Sequence, residues 1–149
     1  MEDHEQVVVV DFANKYIGGG SLKKGAVQEE ILFLIYPQLY VSILVCEKMN
    51  DNEAIYFSNF RRFANYEGYQ TTLKFSSSAA LIETRRDFIA IDAIKFEKPK
   101  NGTMGAQFTQ HCILRELNKA LVGFNLPEES RYSTISTGKW GCGAFNGDP

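Results

Sequence analysis

Val7-Val8-Val9-Val10-Asp11-Phe12-Ala13-Asn14, followed by Gly18-Gly19-Gly20 and then Gln28-Glu29-Glu30-Ile31, is the stretch that decides how this chain folds. Four consecutive valines are continuous and β-branched, the pattern of a strand buried on both faces. Polar residues arrive at its carboxyl end, where ligands collect in open α/β sheets. Asp11 and Asn14 are therefore candidates for a site or its support, and Asp11 reads equally well as the cap of a turn. The three glycines lack a Cβ, so backbone there can approach a ligand closely. Val27, Ile31, Leu34 and Ile35 then fall at helical spacing over residues 27–36. The first turn of a helix exposes unpaired N–H groups and a partial positive charge, which suit an anion. Neighbouring side chains on a helix diverge by about 100°, so Glu29 and Glu30 should make different contacts. On these residues alone, Gln28-Glu29-Glu30 reads more readily as a solvated first turn than as part of a site.

The bulk properties narrow the function. One domain is expected for 149 residues, 44% hydrophobic and 23% charged. A net charge of −2 gives no footprint for general nucleic-acid binding. No run approaches the ~20 apolar residues of a membrane span, so no membrane partner is expected. The opening Met1-Glu2-Asp3-His4-Glu5 lacks the basic end and apolar block of a signal peptide. Cys46, Cys112 and Cys142 are widely spaced and odd in number, as reduced thiols are. An intracellular protein, in the nucleus or the cytoplasm or both, is the expectation. His4 and His111 are the two histidines, which argues against a Cys/His zinc site and leaves little for a Ser-His-Asp triad. His111, beside Cys112, reads as a boundary histidine. Neither a metal nor a cofactor is expected, and carboxylates remain as the acid–base groups.

Farther along, Pro37 ends the first helix near Tyr36 or begins the next, and Leu39, Ile43 and Leu44 predict a second helix to about Lys48. Residues 54–57 predict a short strand. Residues 58–69 predict a loop rich in rings (Phe60, Phe63, Tyr66, Tyr69), read either as pinned to the core or as a platform for a planar base. Residues 70–75 and 87–96 are strand candidates, residues 76–80 a small-residue connection and residues 98–105 a loop. Phe108, Cys112, Leu117, Ala120, Leu121 and Phe124 predict a helix capped near Gly123, and residues 132–136 a short strand. Gly138, Gly141, Gly143 and Gly147 then form a second glycine-rich loop, whose successive N–H groups suit an anion. No internal repeat, dinucleotide fingerprint or Walker lysine motif is present. Two such loops, each after a strand, suggest a diphosphate cradle.

Gly18-Gly19-Gly20 with Gln28-Glu29-Glu30, the preceding Asp11-Phe12-Ala13-Asn14, the block Arg115-Glu116-Leu117-Asn118-Lys119-Ala120 and the loop at residues 138–148 together resemble the macrodomain of the poly(ADP-ribose) glycohydrolases. The resemblance implies an α/β fold, a macrodomain-like α/β/α three-layer sandwich with a mixed sheet. It implies cleavage of the ribose–ribose O-glycosidic bond of poly(ADP-ribose), releasing ADP-ribose, with the polymer, ADP-ribose and poly(ADP-ribosyl)ated proteins as partners. Glu30 matches the catalytic acid/base, Glu29 its ribose-binding neighbour and Asp11 an acidic residue of the site. Asn14 and Gln28 match substrate-contacting positions, and Tyr69 the tyrosine on the adenine side. Lys139, Trp140, Gly141, Cys142, Gly143 and Ala144 match the diphosphate loop, with Phe145 just beyond. The loop of the family usually has asparagine where Lys139 stands. The family normally has a helical region before Val7 and a strand with helices after Asp148, and its adenine-recognising pair corresponds to Met1-Glu2. Residues 1–149 are thus expected to be a partial catalytic macrodomain, either an active hydrolase or a non-catalytic module or fragment that binds ADP-ribose at most.

Overall fold

The computed structural model describes residues 7–78, 85–97 and 106–149. The expected loop at residues 98–105, the end of the small-residue connection at Ala79-Ala80 and the Met1-Glu2 position lie outside the described residues.

The valine run forms β1 (Val8–Ala13), an inner strand of a four-stranded sheet. It runs parallel to β5 (Arg85–Asp92) on one side and to β6 (Ile135–Ser136) on the other, while β2 (Ile55–Arg61) lies antiparallel outside β5. The order is β2-β5-β1-β6, a mixed sheet. Alternation along the strands divides the core in two. Val9, Ala13, Phe88 and Ala90 pack with Leu32, Phe33, Ile35 and Tyr36 of α1 (Gln28–Ile35) and its C-cap. Val8, Val10, Ile89 and Ile91 face the other way, toward α3 (Gln110–Phe124). The result is a helix–sheet–helix sandwich, as expected. Val8, Val9 and Val10 are wholly buried, and each such side chain contributes about 1.5–3 kcal/mol.

Several expected boundaries move. Pro37 both follows α1 and opens a 3-10 turn, Pro37–Val41, that runs into a short α2 (Ser42–Val45), so the second helix stops before Lys48. Leu39 drives this early turn, being buried in the core while Leu44 and Val45 stay outside. Residues 58–69 are not a loop. β2 continues to Arg61 past an irregularity between Phe57 and Phe60, and β3 (Ala64–Glu67) pairs with β4 (Lys74–Ser78) in a separate two-stranded ribbon. Phe60 explains the extension, since it packs edge-on against Phe57 and Phe88 at 5.6 and 6.4 Å. Residues 70–72 form a 3-10 turn, so the strand expected at 70–75 starts at Lys74. β5 ends at Asp92, leaving Ile94 and Phe96 off the ladder, and β6 holds two residues where five were expected.

Gly123 does not cap α3. The helix runs through it to Phe124, with Asn125 as C-cap. A Cβ built on Gly123 would stand 2.5 Å from the Ile91 Cγ2 methyl, so glycine is there to let the helix approach the sheet. Among the described residues no helix is long and apolar enough to cross a membrane.

Candidate active site

The site is assembled by the first turn of α1 reaching back to β1 and the glycine loop. β6 pairs with β1 through Val8 and Val9 and then stops, leaving the next backbone groups on that edge without a strand. The Gln28 amide takes the place of one: Nε2 donates to the Val10 carbonyl and Oε1 accepts from the Phe12 N–H, both at 2.8 Å. Both ends of the amide are therefore committed to backbone, although Gln28 lines the cavity.

Glu29 and Glu30 diverge as expected. Glu29 accepts from the Asn14 N–H at 2.9 Å and the Gly18 N–H at 2.6 Å. Glu30 accepts from the Gly20 N–H at 2.8 Å and from the Val27 N–H at 2.9 Å. The second bond is the half of a capping box that a valine N-cap, having no side-chain acceptor, allows. Both carboxyls are more than nine-tenths buried. Glycine is needed where they close on the backbone: a Cβ at Gly19 would lie 2.6 Å from Glu29 Oε2, and one at Gly25 2.6 Å from Glu30 Cδ.

Asp11 lies behind this pair. It is 1% exposed, does not line the cavity, and neither of its oxygens has a hydrogen-bond partner among the described residues. Burial, then the negative charge of Glu30, pushes its carboxyl up to about 8, so it holds a proton at neutral pH. Burial and then the Asp11 charge push Glu29 up to about 9, against the Asn14 and Gly18 N–H donors. A protonated Asp11 removes the second of those upward pushes and leaves burial opposed by the two donors.

The cavity, about 140 Å³, opens between the two glycine loops. Asn14, Gly19, Gly20, Glu29 and Glu30 wall one side. Lys139, Trp140, Gly141, Gly143, Ala144 and Phe145 wall the other. The second loop is pinned by Trp140, whose indole N–H donates to the Ile91 carbonyl at 3.1 Å, and by the Gly147 N–H to the Gly141 carbonyl at 2.9 Å. The N–H groups of Gly141, Gly143, Ala144 and Phe145 make no hydrogen bond among the described residues, which suits a concave anion site. Cys142 is turned away from the cavity, its thiol donating to the Trp140 carbonyl at 3.5 Å. Gly18 also stands off the cavity, packed against Phe33 and Ile43. Tyr69 stands at the rim, half-exposed. Burial raises its phenol above the usual range, opposed by the Gln28 N–H donating to its oxygen. Of the rings in residues 58–69, Tyr69 alone lines the cavity; Phe60 and Tyr66 pack against the core.

Some site residues have no separate signal in the sequence. Phe12, Ala13, Val27 and Ala93 complete the cavity wall. Ala93 is placed by an ion cluster just before it: Arg115 grips Asp92 Oδ2 at 2.7 Å, and Lys119, fully buried, lies 2.7 Å from Asp92 Oδ1. The Lys119 ammonium also donates to the Asn50 and Glu53 carbonyls at 2.7 and 2.6 Å. The helical spacing of Arg115 and Lys119 puts them on one face, but their partners come from distant elements.

A family model described as poly(ADP-ribose) glycohydrolase (PARG), macro domain fold, matches residues 1–149. The chain is similar to poly(ADP-ribose) glycohydrolase 1 of Caenorhabditis elegans, 42% identical over 163 residues that cover 99% of this chain and 21% of that protein. It is similar to poly(ADP-ribose) glycohydrolase 1 of Arabidopsis thaliana, 41% identical over 80% of this chain and 22% of that protein. Poly(ADP-ribose) glycohydrolase 2 of C. elegans is 39% identical over 93% of this chain and 32% of its own length. The chain thus spans about a fifth to a third of the curated relatives it matches. With its glycine loops, its Gln28-Glu29-Glu30 turn and a match along its whole length, this chain belongs to the poly(ADP-ribose) glycohydrolase family of macro domain fold.

Proposed function

We propose that this chain hydrolyses the ribose–ribose O-glycosidic bonds of poly(ADP-ribose) and releases ADP-ribose, with Glu30 as general acid and base. One observation carries the reading: Glu30, 6% exposed, borders a cavity whose opposite wall presents unpaired backbone N–H groups. Those donors suit the diphosphate of an ADP-ribose unit and bring its distal ribose under a carboxyl. Asn14, whose Oδ1 accepts from the Tyr16 N–H at 3.0 Å, keeps its amide N–H groups for ribose hydroxyls. Tyr69 takes the adenine side, and Lys139, Trp140 and Phe145 close the cleft.

Most glycosidases divide the work between two carboxylates. Here Asp11 does not reach the cavity, while Glu29 and Glu30 both line it and each accepts two backbone N–H groups. Glu30, which matches the acid/base position of the family, is the one carboxyl assigned both transfers. Glu30 protonates the leaving ribose oxygen as an oxocarbenium-like centre develops, then takes a proton from the incoming water. Glu29 positions the glycine loop and borders the ribose; Asp11, kept neutral, lies behind the pair without adding charge. The polymer and poly(ADP-ribosyl)ated proteins are the partners inferred. The location inferred is intracellular, in nucleus or cytoplasm, consistent with Cys46, Cys112 and Cys142 being free thiols.

The test is hydrolysis of polymer by residues 1–149 and by Glu30→Gln. The variant is expected to lose about 10²–10⁴ in rate while still binding ADP-ribose by calorimetry. Full activity in a folded Glu30→Gln sample overturns the role of Glu30. Binding of ADP-ribose by the unaltered chain without turnover selects a binding module instead.

A further inference from the structure

A second cavity, about 540 Å³, adjoins the first and shares Asn14, Ala93 and Phe145 with it. It lies over the carboxyl end of β5, between Lys48–Asp51 on one side and the start of α3 on the other. Sites for nucleotide-sized ligands take about 300–1,000 Å³. The second is within that range, so the two together form one bent trough.

Charge around the second cavity is one-sided. Lys15, Lys48, Lys95 and His111 line it, and none of the three exposed lysines has an ion-pair partner among the described residues. The two acids present are already engaged: Asp51 by Arg115 Nε at 3.1 Å and Asp92 by Arg115 and Lys119. A chain with a net charge of −2 has therefore gathered beside its site three exposed lysines without an ion pair among the described residues, a setting that attracts an anion.

We propose that this second cavity holds the adjoining ADP-ribose unit of the polymer, with Lys15, Lys48 and Lys95 facing its diphosphate. The polymer runs from the glycine cradle across Asn14 and Phe145 into the lysine-lined cavity. This deepens the proposed function and rests on it. The consequence is a preference for two linked units over one, carried by contacts that free ADP-ribose cannot make. A pair of linked units has the chemistry the trough asks for: a nucleotide-sized body and a doubly charged diphosphate on each side of the shared wall.

The experiment uses the 149-residue chain carrying Glu30→Gln to stop turnover, with calorimetry against ADP-ribose and against a two-unit oligomer at low and physiological ionic strength. The oligomer should bind about tenfold tighter than ADP-ribose, as expected from two or three partly exposed ion pairs, and the gain should shrink with salt. Adding Lys48→Gln and Lys95→Gln, both exposed positions, should remove most of the gain and leave ADP-ribose affinity unchanged. Equal affinity for one and two units overturns the proposal, as does a gain that survives both lysine substitutions. Competition by an oligonucleotide of equal charge overturns it too, since the site would then be a general polyanion surface. If neither ligand binds, the functional reading fails and this inference falls with it.

Discussion

Asp87 and Asp11 sit on adjacent parallel strands, equally hidden from solvent, and the protein treats them in opposite ways. Asp87, at the start of β5, is wholly buried and saturated. It accepts from the Tyr56 hydroxyl and the Asn59 N–H, both at 2.7 Å, and from Arg131 at 2.6 Å. Burial pushes its carboxyl up, but Arg131, the Asn59 N–H and the Tyr56 hydroxyl together hold it below the ordinary value. Asp11, near the carboxyl end of β1, has no partner among the described residues and is pushed up to about 8. A buried carboxylate that fixes a fold gathers donors, because an unpaired one costs several kcal/mol. A buried carboxyl left without them, behind Glu29 and Glu30, marks a part of the sheet where the chain tolerates instability, as candidate sites often do.

The comparison can be broken from either side. Asp87→Ala is expected to have the larger effect, about 3 kcal/mol of unfolding free energy, because it removes the shared acceptor of Arg131, the Asn59 N–H and the Tyr56 hydroxyl and leaves a cavity. The half-exposed Arg131 regains water and keeps the loss at the low end. Urea denaturation measures it, and a loss under about 0.5 kcal/mol would mean the network is decorative. Asp11→Asn sharpens the contrast through pH. Between its ordinary value of 3.8 and about 8, Asp11 binds a proton in the folded chain and not in the unfolded one. Stability therefore falls as pH rises across that window, by about 1.4 kcal/mol per pH unit. Glu29, also raised, adds to the same slope. Asp87, with its value lowered, has the opposite sign: its contribution is present above 3.8 and is lost as pH falls through its folded value. Asp11→Asn should flatten the decline of melting temperature between mildly acidic and mildly alkaline pH. An unchanged decline would falsify the assignment of that proton.

What the sequence reveals and what it hides follow the same division between near and far. The valine strand, the helix after the glycines and the acidic pair are local patterns, and they lead to β1, α1 and the cavity wall. The Phe60 extension of β2 depends on Phe88, nearly thirty residues away in sequence, so the ring-rich segment looks like a loop until β5 is beside it. Gly123 looks like a cap because glycine often ends helices, whereas its place is set by Ile91 on the sheet. The commitment of Gln28 to the β1 backbone and the turning away of Cys142 are invisible for the same reason. The family pattern identifies which residues gather; it does not say which of them face the cavity.

The side chains of α1 that reach back to β1 and the glycine loop also tie the loop to the helix in time. The N–H groups of Phe12, Asn14, Gly18 and Gly20 donate to Gln28, Glu29 and Glu30, so the bonds that shape the loop exist while α1 is docked. Their amide protons should exchange with deuterium together with those of α1, as one cooperative unit, and not at the fast rate of a surface turn. Glu29→Gln should speed exchange at Asn14 and Gly18 while Gly20, held by Glu30, stays protected. The loop that faces solvent is thus insulated by a helix that follows it in the chain, and its lifetime is the lifetime of that docking.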